Sequence, residues 1–262
     1  MLKRRLIPKL QLKSMHVGAI EQMVLVTTVN FDKVIQIGDP VSQAKIYEAQ
    51  AADELVFLDL DASVDNRGTM VEIIKRTSEE IFMPITVGGG VRSIADIRNL
   101  LNSGADKVSI NTAAVENPDL INEASEMFGA QCVVLSIDYK QSKDGSYQVW
   151  TRGGKKMVEL DPVSWALEGE KRGAGELLLT SIDCDGTRSG MDTELTAVVA
   201  NQVSIPVITS GGCGLASHFI DGFLQGKADG VSAGTYFCFK DENPMQTRSQ
   251  IKNAGIPIRL HT

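Results

Sequence analysis

Apolar positions along this chain follow two rhythms that alternate from one end to the other. Short β-branched runs have the length and make-up of strands: LIPKLQL (6–12), ELVFLDL (54–60), PITV (84–87), KVSI (107–110), CVVLSID (132–138), ELLLTSI (176–182), PVITS (206–210) and GVSA (230–233). Between them lie amphipathic stretches at 39–52, 69–81, 93–104, 117–129, 161–173, 193–203, 217–226 and 243–255, read as helices. Several open on Asp-Pro, Asn-Pro, Ser or Thr and close on Gly, which is cap chemistry. Eight strands, each followed by a helix, predict a parallel sheet with helical crossovers. Closing that sheet gives an α/β fold of the (β/α)8 TIM barrel type, for which 262 residues is an ordinary length. A doubly wound open sheet is the alternative. In the first run Leu6, Pro8, Leu10 and Leu12 alternate with Lys9, Gln11 and Lys13. Taken alone, that alternation predicts a strand at the edge of the domain with one face buried and the other not. As first strand of the barrel it is expected to turn Gln11 to the mouth, opposite Asp138.

An internal repeat favours the barrel. PITVGGG (84–90) returns as PVITSGG (206–212), an offset of 122, and ADKVSINT (105–112) returns as ADGVSAGT (228–235), an offset of 123. DELVFLDLDAS (53–63) has its counterpart in GELLLTSIDCDGT (175–187). Matched segments in the same order imply two similar halves, about 1–125 and 126–262, each supplying four βα units. Neither half could close a barrel alone, so 1–262 reads as one domain.

Charge narrows the partners. A net charge of −7 and a pI near 5.1 argue against a nucleic-acid or membrane surface, and an anionic ligand would have to be held largely by backbone N–H groups. Cys132, Cys184, Cys213 and Cys238 form no CxxC pair and suit reduced thiols in a cytoplasm. Three histidines, none spaced to help, call for no metal, and no motif calls for a cofactor. MLKRRLIPK has no apolar stretch behind it, so no signal peptide is read, and no apolar run approaches the roughly 20 residues of a membrane span.

Two glycine clusters stand where strands give way to helices, GGGVRS (88–93) and SGGCGL (210–215). Glycine lets the backbone approach an anion closely, and a helix N-terminus adds free N–H donors, although tight turns need glycine for their own sake. The turns SINTAA (109–114) and SAGTYF (232–237) bring Ser, Thr and more backbone donors to the same rim. Gly89, Gly90, Asn111 and Thr112 are thus candidates for one phosphate site. Asp185, Gly186, Gly211, Gly212, Gly234 and Thr235 are candidates for a second, across one barrel mouth. A ligand with a phosphate at each end would span them. GGGVRS lacks the spacing of a dinucleotide fingerprint. Between the sites Asp59, Asp61, Asp138, Asp183 and Asp185 end strands, where acid–base groups of barrels sit, though some could cap loops instead. Asp138 is the strongest candidate, because an ionised carboxylate on so apolar a strand is costly. At the opposite end Arg5, Glu54, Lys107 and Glu176 stand at strand starts and could converge as a ring of two cations and two anions, or lie on a solvated rim.

Taken together, IP-LxLK, VNF, GDP, ADELVFLDLDAS, VGGGVRS, GADKVSINTAA, SIDYK, GAGELLLTSIDCDGT and GIPIR resemble the cyclase subunit of imidazole glycerol phosphate synthase over nearly the whole chain. The resemblance implies a glutaminase partner docked on the N-terminal face, with Arg5, Glu54, Lys107 and Glu176 as the gate for its ammonia. It implies a bis-phosphorylated aminoimidazole carboxamide ribonucleotide at the mouth, converted to imidazole glycerol phosphate and the aminoimidazole carboxamide ribotide. It also implies two catalytic aspartates, on the first and fifth strands. The second is Asp138; the first position is Gln11, an amide that neither takes nor releases a proton at useful pH. Aligning VLVTTVNF (24–31) puts Thr27 where the family has a lysine, and the lid loop 14–26 is longer than usual. That combination resembles a subgroup of paralogues found with surface-polysaccharide genes, which supply ammonia to a separate sugar amidotransferase. The histidine-pathway cyclase itself and a silent scaffold that activates the glutaminase are the alternatives.

Overall fold

The computed structural model of the chain describes residues 3–17, 20–62, 70–239 and 243–259. Met1 and Leu2, Gly18 and Ala19 in the 14–26 loop, Ser63 of the second-strand motif and Thr69 at the start of one expected helix lie outside the described residues.

The chain begins with β1 (Arg5–Val17), β2 (Ile20–Val29), β3 (Lys33–Gly38) and α1 (Pro40–Ala49). From there β4 (Leu55–Asp59), α2 (Val71–Ser78), β5 (Ile85–Gly88), α3 (Ile94–Asn102), β6 (Lys107–Ile110), α4 (Thr112–Glu116) and α5 (Asp119–Phe128) follow. The second half runs β7 (Val133–Gln141), β8 (Tyr147–Thr151), β9 (Lys156–Val158), α6 (Pro162–Lys171), β10 (Glu176–Ser181), α7 (Thr193–Ala200) and β11 (Val207–Ser210). It ends with α8 (Ala216–Leu224), β12 (Gly230–Ala233), α9 (Thr235–Phe239) and α10 (Pro244–Asn253). The parallel order β1-β4-β5-β6-β7-β10-β11-β12 returns from β12 to β1, with Arg5 opposite Gly230, so the eight strands close the expected (β/α)8 barrel.

Local wiring repeats at the offset seen in the sequence. Asp39 and Asp161 cap α1 and α6 by accepting from the Ser42 and Ser164 N–H groups, each cap followed by proline at the first helical turn. At the base the Asp106 carboxylate accepts from the Ile85 N–H at 2.8 Å, and the Asp229 carboxylate accepts from the Val207 N–H at 3.1 Å. Each pins the start of a strand from the loop before its neighbour.

The edge-strand reading of β1 fails, while its place as first strand of the barrel with Gln11 turned to the mouth holds. β1 is central, paired with β12 on one side and β4 on the other, and its polar face is no more open than its apolar one. Leu6, Leu10 and Leu12 are buried under the helices, while Lys9 and Gln11 are 3% and 2% exposed inside the barrel. A strand within a closed parallel sheet has protein on both faces, so alternation here separates two kinds of interior. Residues 14–17 and 20–26 are also strand rather than loop: β1 runs on to Val17 and pairs antiparallel with β2, Lys13 opposite Val24, and β2 pairs with β3. The β-branched run VLVTTV carries that extension. The hairpin partners β8 and β9, which pair antiparallel beyond β7, were likewise not foreseen. No helix among the described residues is long and apolar enough to cross a membrane.

Inside the barrel the inward residues stack in layers. Above the charged base lie Ile7, Val56, Val134, Leu178 and Ile208, all fully buried. The next inward positions are Lys9, Ser136, Thr180 and Ser210, and above them the mouth opens.

Candidate active site

At the base the four expected charges do converge. The Arg5 guanidinium bonds Glu54 at 3.0 Å and also bonds Glu176, while the Lys107 ammonium bonds Glu54 at 3.0 Å and Glu176 at 2.8 Å. The ring lies inside the barrel: the Glu54 and Glu176 side chains are 3% and 6% exposed. Thr86 donates a further bond to Glu54 at 2.7 Å. Burial alone would raise the Glu54 pKa, yet Lys107 and Arg5 outweigh it and hold the carboxyl below its ordinary value. Arg5 is affected in the opposite sense: burial works against its charge, but Glu176 and Glu54 hold its pKa up.

The mouth holds a cavity of about 280 Å³, just under the roughly 300 Å³ at which small-ligand sites begin. Asp138 and Gln11 both line it, as do Gly89, Gly90, Asn111 and Thr112. Burial pushes the Asp138 carboxyl up to about 7, against the pull of Lys9 and of the hydrogen bond from Asn111. Its pKa near neutrality lets one group both give and take a proton. Asn111 stands at the N-terminus of α4 but makes no side-chain cap bond there. Its amide instead donates to Asp138 Oδ2 at 2.8 Å and to the Trp150 carbonyl at 3.2 Å.

Opposite, the Gln11 amide donates to Thr28 Oγ1 at 3.1 Å, and that hydroxyl donates to Asp185 Oδ2 at 2.6 Å. Gln11 therefore lines the cavity with its amide already held by a partner on β2. Thr27 bonds the Thr235 hydroxyl at 2.6 Å, tying β2 to the turn after β12. The tip of the same hairpin docks across the mouth: the Asn30 N–H donates to the Asp185 carbonyl at 2.8 Å and its side-chain amide to the Asp183 carbonyl at 2.7 Å.

The two glycine clusters are built alike. Gly89 and Gly211 have φ of +100° and +97°, and a Cβ on either would run into a neighbouring strand's carbonyl, Asp59 or Ser181. Both turns need a residue without a side chain, as the repeat implies. Lys9, Asp185, Gly186, Gly211, Gly212, Gly234 and Thr235 border one small recess, apart from the larger cavity that Gly89 and Gly90 line. Other candidates have partners within the protein, although Asp59, Asp61 and Thr112 also line the larger cavity. The Thr112 hydroxyl accepts from the Arg152 N–H at 3.0 Å. Asp59 caps its own turn by accepting from the Asp61 and Ala62 N–H groups, Asp61 pairs with Lys13 at 3.0 Å, and Asp183 accepts from the Gln141 N–H. Asp185 presents a carboxylate already bonded to Lys9 and Thr28, so at the second cluster it holds a cation in place.

Sequence reasoning overlooked Lys9, Thr28, Phe31 and Lys155, the last two reaching the cavity from the hairpin turns. Lys9 had a legible signal: it shares the inward register of Arg5, Ile7 and Gln11.

Residues 7–243 match the protein family described as "Histidine biosynthesis protein". The chain is 49% identical over 260 residues to the "Putative imidazole glycerol phosphate synthase subunit hisF2" of Prochlorococcus marinus (strain MIT 9313), covering 99% of both chains. It is 45% identical over 274 aligned positions to the "Imidazole glycerol phosphate synthase subunit HisF" of Methanocorpusculum labreanum, again covering 99% of both.

Proposed function

This chain belongs to the histidine biosynthesis protein family and is a HisF-type cyclase subunit, and from that premise we propose a paralogue that conducts ammonia without keeping the full cyclase chemistry. In this reading a HisH-type glutaminase docks on the N-terminal face and releases ammonia at the ring of Arg5, Glu54, Lys107 and Glu176. The apolar layer above the ring suits neutral ammonia and rejects ammonium, which would lose its hydration there. A bis-phosphorylated small molecule lies across the mouth on the two glycine clusters. The ammonia serves a separate amidotransferase acting on a sugar, in polysaccharide biosynthesis.

The observation that carries this reading is Gln11, an amide latched to Thr28 where the resemblance implies an acid. Loss of one of two acid–base groups typically costs about 10²–10⁴-fold in rate. The reading is tested with ammonium salts and the bis-phosphorylated aminoimidazole carboxamide ribonucleotide, taking the Methanocorpusculum labreanum relative as reference. Turnover at least about 10²-fold below that reference is expected. Gln11→Asp should raise it without restoring it, because Thr27 and the β1–β2 extension differ as well. Turnover near the reference would overturn the paralogue reading.

A specific observation favours the histidine-pathway cyclase as the second reading. Asp138, with its carboxyl at about 7, could serve as acid and base in turn, and both relatives carry that enzyme's name. A scaffold that only activates the glutaminase would keep that activation in Lys107→Met with nothing else changed, whereas a conduit would leak or block ammonia.

A further inference from the structure

The recess between the loops after β10, β11 and β12 is bordered by glycine backbone and by two charges. Among the described residues that line it, Lys9 is the one base and Asp185 the one acid. In a chain of net charge −7, a bare carboxylate beside the cradle would work against the anion that its backbone N–H groups attract. Lys9 removes that obstacle. It enters from the barrel interior, 3% exposed, and passes Gly234, where a Cβ would stand 3.8 Å from Lys9 Cε. Its ammonium meets Asp185 Oδ1 at 3.2 Å and Ser210 Oγ at 3.0 Å. Both Asp185 oxygens are then engaged, the second by the Thr28 hydroxyl. An ammonium has three donors, and two of them are accounted for here.

We propose that Lys9 is an anion ligand of the second glycine cradle, giving its third N–H and its charge to a phosphate seated on that cradle. The inference rests on the two-phosphate reading of the mouth and adds to it the residue that supplies charge at one end. The recess itself is only about 10 Å³, so the phosphate seats at its lip, on the N–H groups, with Lys9 beneath. The arrangement also accounts for Thr27. Where the resemblance implies a lysine on the lid, this chain has a hydroxyl, and its buried cation stands on β1 instead. A charge on a barrel strand needs no lid closure to reach its anion, and it is held by Asp185 and Ser210 before the anion arrives.

The test uses the full chain labelled with 15N-glycine and titrated with inorganic phosphate, read by amide shifts. In the unmodified protein Gly211, Gly212 and Gly234 should respond together. In Lys9→Met their midpoint should rise about tenfold or more, the usual scale for a charged hydrogen bond, while Gly89 and Gly90 keep theirs within about twofold. An unchanged midpoint at the second cradle in Lys9→Met overturns the Lys9 assignment and leaves the two-phosphate reading standing. A silent second cradle in the unmodified protein overturns both. Should Lys9→Met fail to fold, the Lys9 15Nζ signal of the unmodified protein decides: it must shift with the same midpoint as Gly212, and an unmoved signal overturns the inference. An outcome in which phosphate moves only surface lysines would likewise count as an adventitious ion only, and against it.

Discussion

Asp138→Asn should make this protein more stable at neutral pH while removing its best acid–base group. Burial lifts the Asp138 carboxyl from an ordinary 3.8 to about 7, and each tenfold change in proton affinity is worth about 1.36 kcal/mol, so the ionised form costs the fold about 4 kcal/mol. The sign follows from proton counting. Between pH 4 and 7 the unfolded chain gives up this proton and the folded chain keeps it, so stability falls as pH rises and levels off above 7. Asparagine carries no charge, and its carbonyl can still accept from Asn111, which now donates to Asp138 at 2.8 Å. The difference between variant and parent should be small near pH 4 and reach about 2–4 kcal/mol in favour of the variant at pH 8. Urea unfolding of both proteins at pH 4.5, 6 and 8 measures it directly. A difference that stays constant across those three values would refute the argument, because then Asp138 would be ionised in the folded protein throughout.

Two further changes probe the parts that hold the site in place. Glu54→Gln strips the base ring of one anion and leaves Arg5 and Lys107 under-compensated, a loss of about 3–5 kcal/mol for a broken buried pair. Because the folded pKa of Glu54 is depressed, its contribution is present above its ordinary 4.5 and lost as pH falls through the folded value. The penalty in denaturant melts should therefore be largest at neutral pH and shrink below about 4.5. Gly89→Ala forces a side chain into φ of +100° and against Asp59, so it should cost about 2 kcal/mol or more in thermal or urea unfolding. Gly211→Ala, built the same way against Ser181, should cost a similar amount, and a clear inequality would mean the two turns are not equivalent.

Most of the barrel was legible in local pattern. The eight parallel strands begin and end within one or two residues of their apolar runs except where β1 and β7 run on, and the caps at Asp39, Ser93, Asp161 and Asn243 stand where polar residues precede helical spacing. The glycine turns were legible too, since positive φ and close carbonyls leave no other residue type. The short helices α4 and α9 were passed over, because five residues give helical periodicity too little room to show. Both hairpin extensions were passed over because each pairs with the end of a strand that had already been assigned to the barrel.

By itself, then, the chain's order of residues determined the alternation of strand and helix, the two-fold repeat, the cap and turn chemistry, and the presence of Asp138, Gln11 and the four base charges at strand ends. Only the tertiary structure decided that Gln11 spends its amide on Thr28, that Asn111 leaves its helix for Asp138, and that Lys9 meets Asp185. The reason is physical. Period-two alternation separates the two faces of a strand, but closure of the sheet decides what each face meets. The partners that then set charge and proton affinity, such as Lys9 and Asp185 or Arg5 and Glu176, come from opposite halves of the chain.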